Sequence, residues 1–385
     1  MTSPDAPIYL DYAATTPVHP EVAEAMLPFL SGIASFGNPS SIHRFGRDAR
    51  AALDQARDRV AALIGADYGE IYFTSGGTEA DNLAVIGAMM AAPKERNRLV
   101  TTSIEHHAIL HAAHFIESQG YEVCHVPVDS FGRVSLDAMS EAVDNRTALV
   151  SVMHANNEIG ALQPVVEIAK IAHAKGALFH TDGVQSAPLL PISVRRLDAD
   201  MLTLSAHKMY GPKAMGALYI RSGVRVSPIL HGGSQEREKR PGTENVAGAV
   251  GFGVAAEITR ATRDTDAARL SDLRREFLRS LVGSIPSLVV NGHPTQCLPN
   301  IVNVSVSGVE GATLLMNLDR AGIAASSGSA CSSGSIEPSH VLLALGLSPT
   351  DAGSGIRFSL GRGTTAEELA RTSRTLAEIV ARMRK

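Results

Sequence analysis

The sequence contains no tryptophan and three cysteines, aromatic residues make up 4% of it, and charged residues account for only 19% of its 385 positions. Each scarcity excludes something. Cys124, Cys297 and Cys331 are too few and too widely spaced for a disulfide framework or a CxxC metal or redox motif, so any cysteine chemistry runs through a free thiol. Thirty-five Lys and Arg against 39 Asp and Glu leave a net charge of −4, with no global positive field to draw the chain onto nucleic acid or anionic lipid. No stretch approaches the roughly 18 to 20 apolar residues of a membrane span. The opening MTSPDAPIYLDYAATTP carries acids where a secretory signal has basic residues. These features predict a cytoplasmic protein with no membrane partner and no direct nucleic-acid partner. Apolar residues, at 44%, are plentiful enough to offset the entropy of ordering the chain, and its length suits two or three domains.

Between Ile71 and Ser222, seven β-rich runs (IYFT, RLVTT, EVCHVPV, TALVSVMHA, ALFHTD, MLTLS and GALYIRS) alternate with helical stretches. That alternation predicts a mostly parallel sheet covered on both faces. The helices are expected at Glu79 to Met90, His107 to Gln119, Leu136 to Val143 and Val165 to Ala174, after one long helix from Ser40 to Ile64. A further helix runs from Val246 to Leu281. From about Leu288 the pattern changes to VVNG, NIVNVSV, a helix near Ala312 to Ala321, the Ser/Gly-rich run Ala325 to Ser335, SGIRFSLG and a terminal helix. This is expected to be a second, smaller α+β domain.

Two stretches carry the chemistry. At Thr74-Ser75-Gly76-Gly77-Thr78-Glu79 a strand meets two glycines and a helix start, where free N–H groups and the helix dipole converge on a position that suits an anion. Ser205-Ala206-His207-Lys208 follows the strand MLTLS, and Asp182 and Gln185 follow ALFHTD, so all of them fall at the carboxyl edge where open α/β sheets bind ligands. An acid, a lysine and an anion cup at one edge suit pyridoxal phosphate. Taken singly, such a loop is more often a capped turn than an anion cup, and a lysine such as Lys208, with Lys213 nearby, is more often a solvated charge.

Ten motifs in order extend this reading over the whole chain: YLDYAATTP at 9–17, GNPSSIH at 37–43, FTSGGTEADNLA at 73–84, EHHA at 105–108, NNEIGALQP at 156–164, HTDGVQS at 180–186, SAHKMYGPK at 205–213, PGTENV at 241–246, SSGSACSSGSIEPSHVL at 326–342 and IRFSLGR at 356–362. With them the chain resembles the cysteine desulfurases of the NifS/IscS type, in the class V aminotransferase group of fold-type I pyridoxal-phosphate enzymes. The resemblance implies a large cofactor-binding domain over residues 15–259 with a seven-stranded, mostly parallel sheet. It implies a small domain made of 1–14 and 260–385 that carries the Cys331 loop. Lys208 then holds the cofactor through its amine and moves protons, Asp182 keeps the ring nitrogen protonated, His106 stacks on the ring, and Gln185 bonds its phenolic oxygen. Gly77, Thr78, Ser205 and His207 form the phosphate cup. Thr243 reaches the phosphate from the partner subunit of a homodimer. Arg357 and Asn157 hold the substrate carboxylate, and Asn157 also borders the cofactor. Cys331 takes the sulfur of L-cysteine as a persulfide, leaves alanine, and passes the sulfur to an acceptor protein of iron–sulfur assembly or tRNA thiolation.

Competing readings are a transaminase or selenocysteine lyase of the same group, and a non-catalytic sulfur-relay scaffold. A mobile cysteine loop is of no use to a transaminase, and the joint presence of Lys208, Asp182, His106, Cys331 and Arg357 opposes loss of catalysis. No resident metal is assigned: His107, His111 and His114 share one helical face but lack a further ligand, and Cys331 is at most a ligand to a shared cluster. Cys124 and Cys297 read as buried. Against the family pattern, Ser234, Ala206 and Ala214 stand where glycine is frequent, and Pro241 replaces a serine before Gly242, which bears on the Thr243 contact.

Overall fold

The computed structural model describes residues 6–31, 35–327 and 338–384. Its strands are Ile8–Tyr9 (β1), Ile71–Thr74 (β2), Arg98–Thr102 (β3), Glu122–Val126 (β4), Thr147–Ser151 (β5), Leu178–Asp182 (β6), Met201–Ser205 (β7), Gly216–Ile220 (β8), Leu288–Asn291 (β9), Ile301–Val306 (β10), Ile323–Ala324 (β11) and Gly355–Ser359 (β12). All seven runs expected between Ile71 and Ser222 join one sheet, in the order β2-β8-β7-β6-β5-β3-β4. Strands β3 to β7 are mutually parallel, and β8 is antiparallel to both of its neighbours. The five parallel strands therefore end along one edge, which brings Asp182 and Ser205 together there.

Burial on both faces explains why the central strands read as nearly continuous apolar runs. On β7, Leu202 and Leu204 pack with Leu53, Val60 and Phe252 of the helices Arg44–Ile64 and Val246–Ser284. Met201 points the other way, into a cluster with Leu83 and Ala84 of the helix Gly77–Ala91. Thr203 and Ser205 share the Met201 side by the period of two, so the polar ends of β6 and β7 lie under the start of that helix.

The long first helix begins at Arg44 rather than Ser40. Asn38 folds the chain into a turn, accepting from Ser40 N at 2.9 Å through its side chain and from Ser41 N at 2.9 Å through its carbonyl. His43 then caps the helix through Nδ1. An additional helix, Pro20–Ser31, packs so closely on Val246–Ser284 that a Cβ on Gly251 would lie 2.6 Å from Met26 Sδ.

The remaining strands form the antiparallel sheet β12-β10-β9 and the parallel pair β1-β11. With the helices Gly311–Arg320 and Ala366–Met383 they enclose a second apolar cluster. The 39-residue helix Val246–Ser284 serves both cores: Phe252 and Ala256 enter the first, Phe277 and Leu281 the second. No helix among the described residues is long and apolar enough to cross a membrane.

Beside the large sheet, Glu236, Arg237 and Glu238 take φ values of 45°, 53° and 65°, a left-handed turn that costs non-glycine residues energy. It is held by a buried bidentate pair, with Arg57 donating to both Glu236 oxygens at 2.6 Å, while Phe73 N donates to Glu236 Oε2 at 2.9 Å.

Candidate active site

A cavity of about 300 Å³ opens at the carboxyl ends of β6 and β7. Gly77, Thr78, His106, Asn157, Asp182, Gln185, Ser205, His207, Lys208 and Arg357 all line it. Thr243 does not: it is exposed on a loop that Arg240 ties to the helix start through Glu79, with Arg240 Nε to Glu79 Oε1 at 3.0 Å. Cys331 lies outside the described residues.

The lysine is placed by a short turn after β7, in which Met209 N and Gly211 N both donate to Ala206 O, at 3.0 and 2.9 Å. Its Nζ donates to Ala13 O at 2.6 Å and Ala14 O at 2.8 Å, and Gln185 Nε2 donates to Ala13 O at 3.0 Å. An N-terminal strap, residues 11–16, thus crosses the cavity mouth. It is stapled at its far end, where Thr16 Oγ1 donates to His207 O at 3.0 Å and accepts from Tyr210 N at 2.8 Å.

The anion cup is built by close backbone approach. Gly76, at φ 153°, precedes the helix without a side-chain cap, which leaves the first-turn N–H groups open. A Cβ on Gly216 would lie 2.5 Å from Gly76 C, so only glycine lets β8 run beneath this turn. Ser205 Oγ is buried at this point with no hydrogen-bond partner, and His207 Nδ1 lies 3.1 Å from Thr15 Oγ1. Ala214 adopts φ 55° and borders the same cup.

Asp182 accepts from Val184 N at 2.8 Å, and its carboxyl is pushed up to about 6, first by burial, with the Val184 N–H and the Lys208 charge opposing. Asp81 lies one helical turn beyond Gly77, fully buried, with Oδ1 lacking a hydrogen-bond partner 3.8 Å from His180 Nε2. Burial and the charge of Asp182 hold the Asp81 carboxyl well above the usual range. His106 caps the helix His107–Ser118 by accepting from Ala108 N at 3.1 Å through Nδ1, which leaves the ring proton on Nε2. Burial and the Lys208 charge push it down to about 4, so the ring is neutral at pH 7; His207 is pushed down to about 4 by burial, Lys208 and Lys213. Arg357 is buried; it donates to Asn157 O and to Asp11 Oδ1, each at 2.8 Å, and its Nε has no partner.

These residues fit pyridoxal phosphate. The unpartnered Ser205 hydroxyl and open N–H groups suit its phosphate, the buried Asp182 suits its ring nitrogen, and Lys208 supplies the amine. Sequence reasoning missed Asp81 and Asp11 as site residues. Asp81 was legible as the residue three beyond Thr78 on one helical face; Asp11 stood in the YLDYAATTP motif with no spacing signal to mark it. His114 is 84% exposed and lies 3.8 Å from Glu117, and no group of three or more His, Cys, Asp or Glu among the described residues is placed to hold a metal. Cys124 and Cys297 are half-buried rather than buried; Cys124 is on the edge strand β4, and burial pushes the Cys297 thiol up.

Residues 8–372 match the aminotransferase class-V family model. The chain is 48% identical over 377 residues to a cysteine desulfurase IscS of Dictyoglomus turgidum, covering 98% of this chain and 95% of that protein. It is equally 48% identical over 377 residues to the IscS cysteine desulfurase of Methanosarcina thermophila, covering 98% and 93%. Among solved structures, a NifS-like protein superposes with a TM-score of 0.91 at 36% identity, over 97% of this chain and 99% of that one. SspA in complex with cysteine superposes with a TM-score of 0.82 at 37% identity, over 92% and 98%.

Proposed function

We propose, from the premise that the chain belongs to the class-V aminotransferase family, that it is a cysteine desulfurase converting L-cysteine to L-alanine with the sulfur kept as a persulfide on Cys331. The observation that carries the reading is the convergence of Lys208, Asp182, His106 and Arg357 on one cavity that also holds an anion cup. Pyridoxal phosphate, when bound, supplies an electron-withdrawing ring that stabilises negative charge at the substrate carbon.

The roles are those the family resemblance implies, and the placement of these residues around one cavity supports them. Gly77, Thr78, Ser205 and His207 bind the phosphate, and Gln185 the phenolic oxygen. Asp182 holds a proton at the ring nitrogen, which gives its buried carboxylate a positive partner in addition to the Lys208 charge. His106, neutral and carrying its proton on Nε2, covers the ring face and serves acid–base steps. Arg357 and Asn157 orient the substrate carboxylate, while Lys208 Nζ holds the cofactor and moves the proton at the substrate α-carbon. The Cys331 thiolate gives an electron pair to the substrate sulfur; the carbon–sulfur bond breaks, a sulfur–sulfur bond forms, and the β-carbon takes a proton to give alanine.

The reading includes a cytoplasmic homodimer in which Thr243 completes the partner's phosphate site. The exposure of Thr243, and of the apolar Leu27, Leu30, Phe36 and Ile42, supports burial of surface against a second copy. It also includes a protein acceptor for the sulfur in iron–sulfur assembly or tRNA thiolation. The division into 15–259 and 1–14 with 260–385 is supported by the two apolar clusters, Ile8 and Leu10 belonging to the second. The test is mass spectrometry of protein exposed to stoichiometric L-cysteine without reductant. One added sulfur on the Cys331 peptide, absent in Cys331→Ser, is expected; sulfur on Cys124 or Cys297 instead would remove Cys331 from the reaction.

A further inference from the structure

We infer that Asp11 is a positioning residue for the substrate carboxylate: it fixes the orientation of the Arg357 guanidinium and so sets the preference for amino acids over amines without a carboxylate. The inference rests on the proposed role of Arg357 in the desulfurase reading.

Arg357 enters the cavity from β12 with its backbone locked. Its N donates to Ser326 O at 2.6 Å, Ser326 N donates back at 3.1 Å, and it pairs with Asn303 of β10. The side chain is 2% exposed, so water cannot satisfy its five N–H groups. The Asn157 carbonyl takes one from Nη1 and the Asp11 carboxylate one from Nη2, while the buried Nε is left without a protein acceptor. A guanidinium held at both terminal nitrogens cannot rotate about its last bond, so the part of Arg357 that lines the cavity meets an incoming carboxylate in one fixed orientation. The other carboxylate sensing the Arg357 charge, Glu158, bonds Ser339 at 2.5 Å instead.

Asp11 is itself fixed. Its carbonyl accepts from Ala14 N at 3.0 Å and from Tyr9 Oη at 3.0 Å, and Ser359, two residues beyond Arg357, donates from N to Leu10 O at 2.7 Å. The next two residues but one, Ala13 and Ala14, present the carbonyls that receive Lys208 Nζ. One short strap therefore sets the cation that meets the substrate carboxylate and the amine that acts at the α-carbon. A competing effect is clear: the Asp11 charge repels the incoming carboxylate. We infer that orientation outweighs it, because the Asp11 and Asn157 bonds together hold the guanidinium that lines the cavity in one orientation.

The test uses holoenzyme of wild type, Asp11→Ala and Asp11→Asn, each first shown to carry the cofactor by its absorbance. Two readouts are taken: KM and kcat for L-cysteine, and dissociation constants of L-alanine and ethylamine from the cofactor absorbance change. Asp11→Ala should raise KM and the L-alanine constant about tenfold, the scale of one charge-assisted hydrogen bond. It should leave kcat within about twofold, as expected for uniform binding, and leave ethylamine binding unchanged. Asp11→Asn, whose amide oxygen still accepts, should recover most of the loss. An unchanged or lowered KM in Asp11→Ala would make Asp11 a competitor and overturn the inference, as would an equal loss for ethylamine. Failure of wild type to form alanine from cysteine would defeat the desulfurase reading, while the alanine and ethylamine series would still decide the part of Asp11.

Discussion

Replacing Asp182 by Asn should make the cofactor-free protein more stable at neutral pH and the cofactor-loaded protein less so. Without cofactor, burial pushes the Asp182 carboxyl up to about 6 from an ordinary value of 3.8. A carboxyl whose folded pKa lies above its unfolded one costs nothing below pH 3.8, where both states are protonated. The cost grows as pH rises from 3.8 to 6 and stays at its full value above 6. The difference, 6 − 3.8 = 2.2 units, corresponds to about 3 kcal/mol at 1.36 kcal/mol per unit. Neutralising Asp182 also relieves Asp81, whose carboxyl the Asp182 charge holds up. Urea midpoints of wild type and Asp182→Asn, both free of cofactor, should therefore separate by up to about 3 kcal/mol at pH 7.5 and converge toward pH 4. Saturating pyridoxal phosphate should invert the order, since the carboxylate then faces a positive ring nitrogen that Asn cannot match. A cofactor-free Asn variant no more stable than wild type at pH 7.5, or a gap that does not close on acidification, would refute this electrostatic account.

Other substitutions probe the scaffold of the site. Lys208→Ala should fold yet lack the visible band of lysine-bound cofactor, and an unchanged band would take that lysine out of the chemistry. Arg57→Ala leaves Glu236, itself the first residue of the left-handed turn, buried without its cationic partner, so urea unfolding should show a loss of about 3–5 kcal/mol; a loss below about 1 kcal/mol would show that the pair does not hold the turn. In Gly216→Ala the new Cβ would meet Gly76 C at 2.5 Å. Cofactor affinity, measured by equilibrium dialysis, should fall at least about tenfold, whereas Gly283→Ala, with nothing within 4 Å of its new Cβ, should not change it. Equal affinities in the two variants would contradict the close-approach origin of the cup.

The large sheet was legible because its strands are buried on both faces and alternate with amphipathic helices, so that seven apolar runs could be read directly. The reversal of β8 was not, since a residue pattern carries no direction, and neither was the helix Pro20–Ser31, whose Pro28 masks its continuity. The Ser40 start failed because Asn38 and His43 cap the chain locally, an effect of side-chain hydrogen bonds rather than of period. In the site, residues placed next to a strand end, such as Asp182, Ser205 and Lys208, could be assigned to one edge from sequence alone. Asp11 could not. It reaches Arg357 across 346 positions of chain, and only the pairing of β1 with β11 and the bridge from Asp11 to Ser359 of β12 bring the two within 2.8 Å.

The most direct test of the whole account is alanine release from L-cysteine by purified, cofactor-loaded protein with a reductant present, run beside Cys331→Ser. The account predicts catalytic alanine with matching sulfide from wild type, and none from a serine variant that still carries cofactor. Alanine at the wild-type rate from Cys331→Ser would contradict the persulfide step, and no alanine from loaded wild type would contradict the assignment of the cavity to cysteine desulfuration.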